Sequence, residues 1–405
     1  MNQNSDTSRK SEDLSWLEQL QRNSWEPEVI ISGIILAFLF AFPSKVYEFS
    51  AYLIQDLGID FIFGSIILIY LTGIISIFKI FFVIHLSLRF LWAGLLGLSY
   101  AFPEGVIQEK LFKNAQGFDY QKPDAMVLKL EKICSSTFAY PVSMVIIFLG
   151  ATVYLCFLLF VYLWLQLTFA QVYLFFILTV ILILGLMMSK KKTKLKIWYS
   201  KSLVSSINAI YQSNTGKWFS IIYMMLIFLF SVPIIYSDTQ DFTMFLNESN
   251  MLEKEIEWPA KHLYFEDHHD PEKRFPRAFL AKEEEDSENI RIGLARYEGD
   301  RKIMEDLREN YPVSLDTLSW QTLDETADLH RIYLDDSLVA IEDWGKYRLS
   351  PSGQKVYQST FALDGLQPGR HRLRVEKLIV IKNPFTGTSK VRLLENWSHF
   401  EFIKK

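Results

Sequence analysis

A chain of 405 residues with 42 Lys/Arg against 46 Asp/Glu has a net charge of -4, which excludes the strong basic excess of a nucleic-acid binder. A soluble protein of this length would divide into two or three domains, yet half of these residues are hydrophobic and the long apolar runs all fall within residues 29–236. Residues 1–237 hold 18 Lys/Arg and 14 Asp/Glu, and residues 238–405 hold 24 and 32, so a weakly basic membrane half precedes one acidic soluble half.

Residues 1–28 are polar and mixed in charge, without the basic start and cleavage site of a secretory signal. They read as a cytoplasmic N-terminal segment, and the first apolar run is expected to stay as a signal anchor. That run begins near Val29 and reaches Pro43, preceded by Glu26, Pro27 and Glu28. Proline and carboxylates suit a first helical turn, where N–H groups lack partners and the dipole favours negative charge. The run is short, so Lys45 is expected to snorkel outward, and a re-entrant hairpin is the alternative. Residues 60–102 are mostly apolar, interrupted by Lys79, His85 and Arg89. One helix of that length would be ~64 Å long, about twice the hydrocarbon thickness. The expectation is a span over roughly 60–82 that continues past the headgroups or bends along them. It would break near Gly94, Gly97 and the Pro103–Glu104–Gly105 turn. Runs over Tyr140–Gln166 and Val172–Met188 are joined by an uncharged link, and a fifth run, Trp218–Tyr236, has interfacial aromatics at both ends.

Lysine placement sets an orientation. The loop near 189–217 carries Lys190, Lys191, Lys192, Lys194, Lys196, Lys201 and Lys217, and the loop near 103–139 carries Lys110, Lys113, Lys122, Lys129 and Lys132. The other two loops share only Lys45. With five spans both basic loops fall on one side, and the positive-inside rule puts the N-terminus in the cytoplasm and residues 238–405 outside. Both loops also hold amphipathic helical patterns. Met126, Val127, Leu130, Ile133 and Cys134 form one face after Pro123, and Leu195, Trp198, Tyr199, Leu203, Ile207 and Ile210 form another beside the lysines. The second pattern predicts contact between anionic headgroups on the cytoplasmic side and Lys190, Lys191, Lys192, Lys194 and Lys196; packing on other cytoplasmic segments is the competing reading.

Residues 238–330 read as mixed helix and loop, with one helix from Gly299 to Asn310 that stops at Tyr311–Pro312. Residues 331–405 read as β-rich. Ile332 and Leu334, then Val339 and Ile341, flank the Asp335–Asp336–Ser337 turn. Tyr357, Phe361 and Leu363 alternate with polar neighbours, and Leu373, Val375, Ile379 and Ile381 share a strand face. Asp364–Gly365 and Pro368–Gly369 mark turns. Short, regularly spaced strands suggest a sandwich of immunoglobulin type. The expected fold class is thus a membrane all-α anchor of about five transmembrane helices, followed by a soluble extracytoplasmic α+β domain ending in an immunoglobulin-like β-sandwich. The stretch LDGLQPGRHRLRV, 363–375, resembles the corner of immunoglobulin-like and fibronectin-like modules, with Arg370, His371 and Arg372 where a tyrosine is usual.

Little in the chain points to chemistry. Glu266–Asp267–His268–His269–Asp270 has metal-ligand residue types, but adjacent side chains point apart and no second cluster completes a tetrahedron. Glu283–Glu284–Glu285–Asp286 lacks the spacing and central glycine of an EF-hand loop. Both read as solvated loops, so no metal, cofactor or catalytic residue is expected. Asn247–Glu248–Ser249 and Asn396–Trp397–Ser398 match the glycosylation sequon. Cys134 and Cys156 form no CxxC motif, and a disulfide between them is not expected. His85 and Arg89 share a helix face with Lys79 nearby, and ionisable residues inside a membrane segment are functional candidates. No acidic partner lies in the apolar runs.

Two readings follow. One is a binding, sensing or assembly component of a bacterial inner membrane whose outer domain recognises a protein or cell-surface partner. The other is a transporter or channel subunit with a cationic path at Lys79, His85 and Arg89. An enzyme is the less favoured reading.

Overall fold

A computed structural model of the chain describes residues 25–165, 167, 169–216, 218–247, 260–320, 323–341, 343–363, 365–382 and 389–405. The polar segment 1–24, Lys217, Glu248, Ser249, Asp364 and most of the uncharged link at 166–168 lie outside the described residues. The N-terminal half is helical: α1 (Trp25–Gln55), α2 (Phe61–Ala101), α3 (Pro123–Leu165), α4 (Phe169–Met188), α5 (Lys194–Ser200), α6 (Leu203–Thr215) and α7 (Phe219–Thr239). Four stretches are long and apolar enough to cross a membrane, over Pro27–Gln55, Phe61–Ala101, Pro123–Tyr162 and Ile221–Phe245, and α4 is a shorter apolar helix. The protein is a multi-pass membrane protein on that basis.

Three boundaries differ from expectation. First, α1 does not end at Pro43 but runs twelve residues further, to Gln55. Proline removes one helical hydrogen bond. Beyond it, however, Val46, Tyr47, Ser50, Ala51 and Ile54 recur at helical spacing and are buried, so tertiary packing outweighs the local break. Second, α2 is one helix from Phe61 to Ala101, unbroken at Gly94 and Gly97. A lone glycine costs a helix only ~1 kcal/mol, and no competing turn residue stands beside either. Third, the amphipathic segment after Pro123 and the third apolar run are one helix, α3, with Pro123 at its start, Asp124 in its first turn and Pro141 inside it. Of the expected face, Leu130 and Cys134 are buried and Ile133 is exposed.

The chain forms two compact units. The first comprises residues 1–42 and 73–234. Its core joins Phe78, Phe81 and Phe82 of α2, Tyr140 and Met144 of α3, Tyr211 of α6 and Ile227 of α7. The rings of Tyr140 and Tyr211 lie 4.1 Å apart, and Tyr211 Oη donates to the Ser136 carbonyl, which seats α6 on α3.

The second unit comprises residues 43–72 and 235–405. Its strands are β1 (Ala278–Leu280), β2 (Glu284–Glu285), β3 (Asn289–Ala295), β4 (His330–Leu334), β5 (Ser337–Val339), β6 (Gly345–Arg348), β7 (Lys355–Ala362), β8 (Gly369–Lys382) and β9 (Ser389–Lys404). They make a four-stranded sheet ordered β1-β3-β7-β6 and a five-stranded sheet ordered β2-β9-β8-β4-β5. Each pair is antiparallel except β2 with β9. The helix predicted at Gly299–Asn310 is α8, followed by α9 (Pro312–Thr317). Met304 and Leu307 of α8 bury against Trp320, Leu323, Leu329 and Leu378, which closes one face of the larger sheet.

Local rules explain several features here. Asp335 and Asp336 take φ of 48° and 67°, as a two-residue hairpin turn between β4 and β5 requires. In β3, Ile290, Ile292 and Leu294 are buried and alternate with Arg291, a period of two that marks a half-buried strand. That strand lies in the stretch read as mixed helix and loop, yet pairs with β7 over seven residues, so the sheets draw on both sides of residue 330. Opposite the single residue Glu376, β9 carries three, Glu395, Asn396 and Trp397, and this bulge of two extra residues accompanies full burial of the Trp397 ring.

Candidate functional site

The cations inside α2 are not open to lipid or water. The Arg89 side chain is 2% exposed. Its Nη2 donates to Glu28 of α1, and its Nη1 lies 3.2 Å from a Glu131 oxygen of α3. Both carboxylates lie outside the apolar runs, Glu28 just before the first and Glu131 nine residues before the third, and the fold brings them to Arg89. The Trp92 ring lies 5.7 Å from the guanidinium. His85 is fully buried, its ring 4.9 Å from Phe138, and neither ring nitrogen has a hydrogen-bond partner. Lys79 is also buried, its ammonium 5.3 Å from the Phe40 ring. Arg89 is thus paired with two carboxylates, and removal of the guanidinium would leave Glu28, 16% exposed, without its cation.

Among the predicted lipid contacts, Lys190, Lys191, Lys192 and Lys194 are exposed, while Lys196 is half-buried and donates from Nζ to the Ser189 carbonyl. Thr193 caps α5 by accepting from the Lys196 N–H at 3.2 Å.

The second unit contains a polar junction that sequence reasoning missed. Gln55, the last residue of α1, donates from Nε2 to the Phe275 carbonyl at 2.9 Å. Gln354 donates to the same carbonyl at 2.7 Å and accepts from the Phe275 N–H at 2.8 Å. The Gln55 carbonyl accepts from the Glu298 N–H at 2.8 Å. Beside this ring Asp56 binds Arg274, and Lys355 lies 3.2 Å from its other oxygen. Arg274 also faces Glu48 at 3.5 Å. The turn between α1 and α2 is thereby built into the edge of the four-stranded sheet. Tyr47 and Phe61 add ring contacts to Phe242, with centroids 5.4 and 5.9 Å apart. Lys45, expected to snorkel, pairs with Glu272 at 2.6 Å.

Deeper in this unit, Lys377 Nζ lies 2.7 Å from Asp300, with both side chains buried. Burial lowers the Lys377 pKa, and the charge of Asp300 opposes that drop. Asn247 completes the cluster: its Oδ1 accepts from Lys377 at 2.7 Å and from Trp397 Nε1 at 3.1 Å, and its Nδ2 donates to Asp300 at 2.9 Å. Arg277, fully buried, donates to the carbonyls of Met244, Leu246 and Trp397, tying the segment after α7 to β9. Burial, and then the nearby Lys377 charge, push His330 well below its ordinary pKa. The asparagines of the two sequons do not stand open: the Asn247 side chain bonds inside to Asp300, Lys377 and Trp397, and Asn396 lies half-buried in the bulge beside buried Ser398.

The acidic and histidine clusters are parcelled out to separate partners. His268 pairs with Glu283 at 3.0 Å, His269 stacks on Phe275 at 3.7 Å, Glu266 pairs with Arg291, and Glu284 with Lys405. Among the described residues no group of three or more His, Cys, Asp or Glu side chains is placed to hold a metal ion. A recess of about 250 Å³ opens between β4–β5 and the α9–β4 link, lined by Trp320, His330, Arg331, Leu338 and Trp344. The Arg331 guanidinium covers the Trp320 ring at 3.9 Å.

Of the missed residues, only Lys377 carries a sequence signal, a lysine inside the apolar strand LRVEKLIVI. The partners of Asp56 and Arg89 lie too far away in sequence for any spacing rule. Comparisons with protein-family models, with curated proteins and with solved structures give no match.

Proposed function

We propose that the protein is a binding or sensing component, anchored with five spans, whose sheet-rich domain recognises a protein or cell-surface partner outside the cytoplasm of a bacterial inner membrane. The observation that carries this reading is the junction at Gln55, Asp56, Arg274 and Gln354. It makes the last turns of α1 part of the sheet domain, so a ligand on that domain would act on residues that continue a membrane helix. The burial of the three candidate residues counts against the transport alternative. Lys79, His85 and Arg89 are buried among α1, α2 and α3, and Arg89 is already paired with two carboxylates, so among the described residues these three do not line an open cationic path.

Five spans are supported by α4, whose 20 residues would be ~30 Å long, the thickness of the hydrocarbon, and by the lysine placement that five spans explain. An immunoglobulin-type sandwich is supported by strand order. If β1, β3, β4, β6, β7, β8 and β9 are read as A to G, the sheets become A-B-E-D and G-F-C, with β5 as an added C′ strand and β2 parallel to the last. His371 supplies the corner in place of tyrosine: its Nε2 lies 2.7 Å from the Gln367 carbonyl, four residues upstream in the link before β8. The recess at Trp320, Arg331 and Trp344, with two indole rings and a guanidinium in its lining, is the candidate contact on this domain.

The test is chemical crosslinking of the full-length protein in its native membrane, followed by identification of what is captured, with Trp344→Ala plus Arg331→Ala as the comparison. Capture of one species, lost in the variant, supports the reading. Capture unaffected by the variant moves the contact elsewhere on the domain, and no capture above background removes the proposal's support.

A further inference from the structure

The two helices that follow α4 divide the work expected of one amphipathic segment. α6 uses its apolar face internally, with Val204 and Tyr211 buried and the Tyr211 ring packed at a tilt against Tyr140 of α3. α5 buries nothing. Its apolar side chains Leu195, Ile197 and Trp198 are 57%, 46% and 71% exposed. Four exposed lysines, Lys190, Lys191, Lys192 and Lys194, stand in the five residues on either side of its start. The caps at Thr193 and Ser202 fix both helices, so α5 is held by the docked α6 while its own faces stay open. No Asp or Glu occurs between Glu131 and Asp238, so these lysines have no carboxylate neighbour along their own stretch of chain.

We infer that α5 is an in-plane anchor that seats Trp198, Leu195 and Ile197 in the headgroup region of an anionic leaflet, with the lysine run on the lipid phosphates. The occupant follows from position and charge. α4 is apolar to Met188, so the chain leaves its hydrocarbon run just before the lysines and meets a leaflet surface first. A short helix with a large aromatic beside unpaired cations binds through buried apolar area plus attraction to anionic lipid, and each lysine near such a surface contributes about fivefold. α5 is distinct from the sheet-domain contact proposed above and does not depend on it.

The test uses the full-length protein in vesicles of phosphatidylcholine alone and of phosphatidylcholine mixed with phosphatidylglycerol, each carrying lipids brominated on the acyl chains. The Trp198 signal is the difference between the native protein and Trp198→Phe. The expected result is strong bromolipid quenching of that signal in the anionic vesicles and weaker quenching in the neutral ones. High salt, or glutamine at Lys190, Lys191, Lys192 and Lys194, should bring the anionic value down to the neutral one. Equal quenching in both vesicles would overturn the electrostatic part. A Trp198 signal quenched by aqueous iodide and untouched by bromolipid in either vesicle would overturn the inference and leave α5 open to an acidic protein. Quenching of the other tryptophans, unchanged across the variants, checks that the fold is intact.

Discussion

The buried pair in the sheet domain gives the sharpest energetic test. Lys377→Met keeps the length of the side chain and deletes its charge. Asp300, with its side chain 2% exposed, then loses the ammonium at 2.7 Å and keeps only the amide of Asn247. Removing one partner of a buried ion pair costs about 3–5 kcal/mol, because the remaining charge is stranded in a poor solvent. Asp300→Leu added to Lys377→Met removes the stranded charge and leaves the Asn247 amide short of one acceptor, a cost of about 1–3 kcal/mol. The double variant is therefore expected to be more stable than the single one. Hydrogen exchange of β8 and β9 amides, in full-length protein in lipid nanodiscs, reads this directly, since their opening reports the stability of that unit. The single variant should raise opening by roughly 150-fold to several thousand-fold, the equivalent of that cost. A rise below about fivefold, or a double variant no better than the single, would refute the reasoning.

Other outcomes follow from the same geometry. A Cβ at Gly293 would sit 2.1 Å from the Phe279 ring, which is itself stacked on Phe275 at 3.9 Å, so Gly293→Ala should destabilise the four-stranded sheet by about 1–3 kcal/mol, measured as exchange in β3 and β7. His371 faces oxygen acceptors at both ring nitrogens, Asp335 Oδ2 and the Gln367 carbonyl, so it must donate from both and carry charge. Burial works against that charge, but the bonds to Asp335 and Gln367 raise the pKa above 6.5. Its stabilisation is complete below about 6.5 and is lost as pH rises through the raised value. The Asp335 pKa is opposed by burial yet lowered by the Arg372 N–H and His371, so its share is lost only as pH falls through that lowered value. The β4–β5 hairpin should thus lose protection on going from mildly acidic to alkaline pH, and His371→Gln should flatten the profile; an unchanged profile in that variant would contradict the assignment. In the helical unit, Arg89→Met should lower the yield of folded protein, and Glu28→Gln with Glu131→Gln should restore part of it. A variant that loses a transported flux while folding normally would instead favour the anion path.

Period and punctuation carried much of this fold. The helix at Gly299–Asn310, the β4–β5 hairpin and the apolar run of α2 were legible because each is set by neighbours within a few residues. Pro43 misled because its local cost is outweighed by the burial of Val46, Tyr47 and Ile54, a tertiary effect with no local sign. The strand β3 carries a period of two in Ile290, Ile292 and Leu294, but the charged stretch before it masks that signal. Arg89 and its helix face were readable; Glu28 and Glu131, which neutralise it, lie 61 and 42 residues away. The junction of Gln55 with Gln354, 299 residues apart, was invisible because a lone glutamine has no periodicity and its partners are set by the fold.

The central claim is that the turn between α1 and α2 is a working part of the sheet domain. Hydrogen exchange of the full-length protein in nanodiscs, comparing native with Gln354→Ala plus Arg274→Met, tests it most directly. The account predicts that amides of residues 52–60, remote in sequence from both substitutions, lose protection together with residues 275–280 and 354–358. Lost protection confined to the substituted segments, with residues 52–60 unchanged, would contradict it.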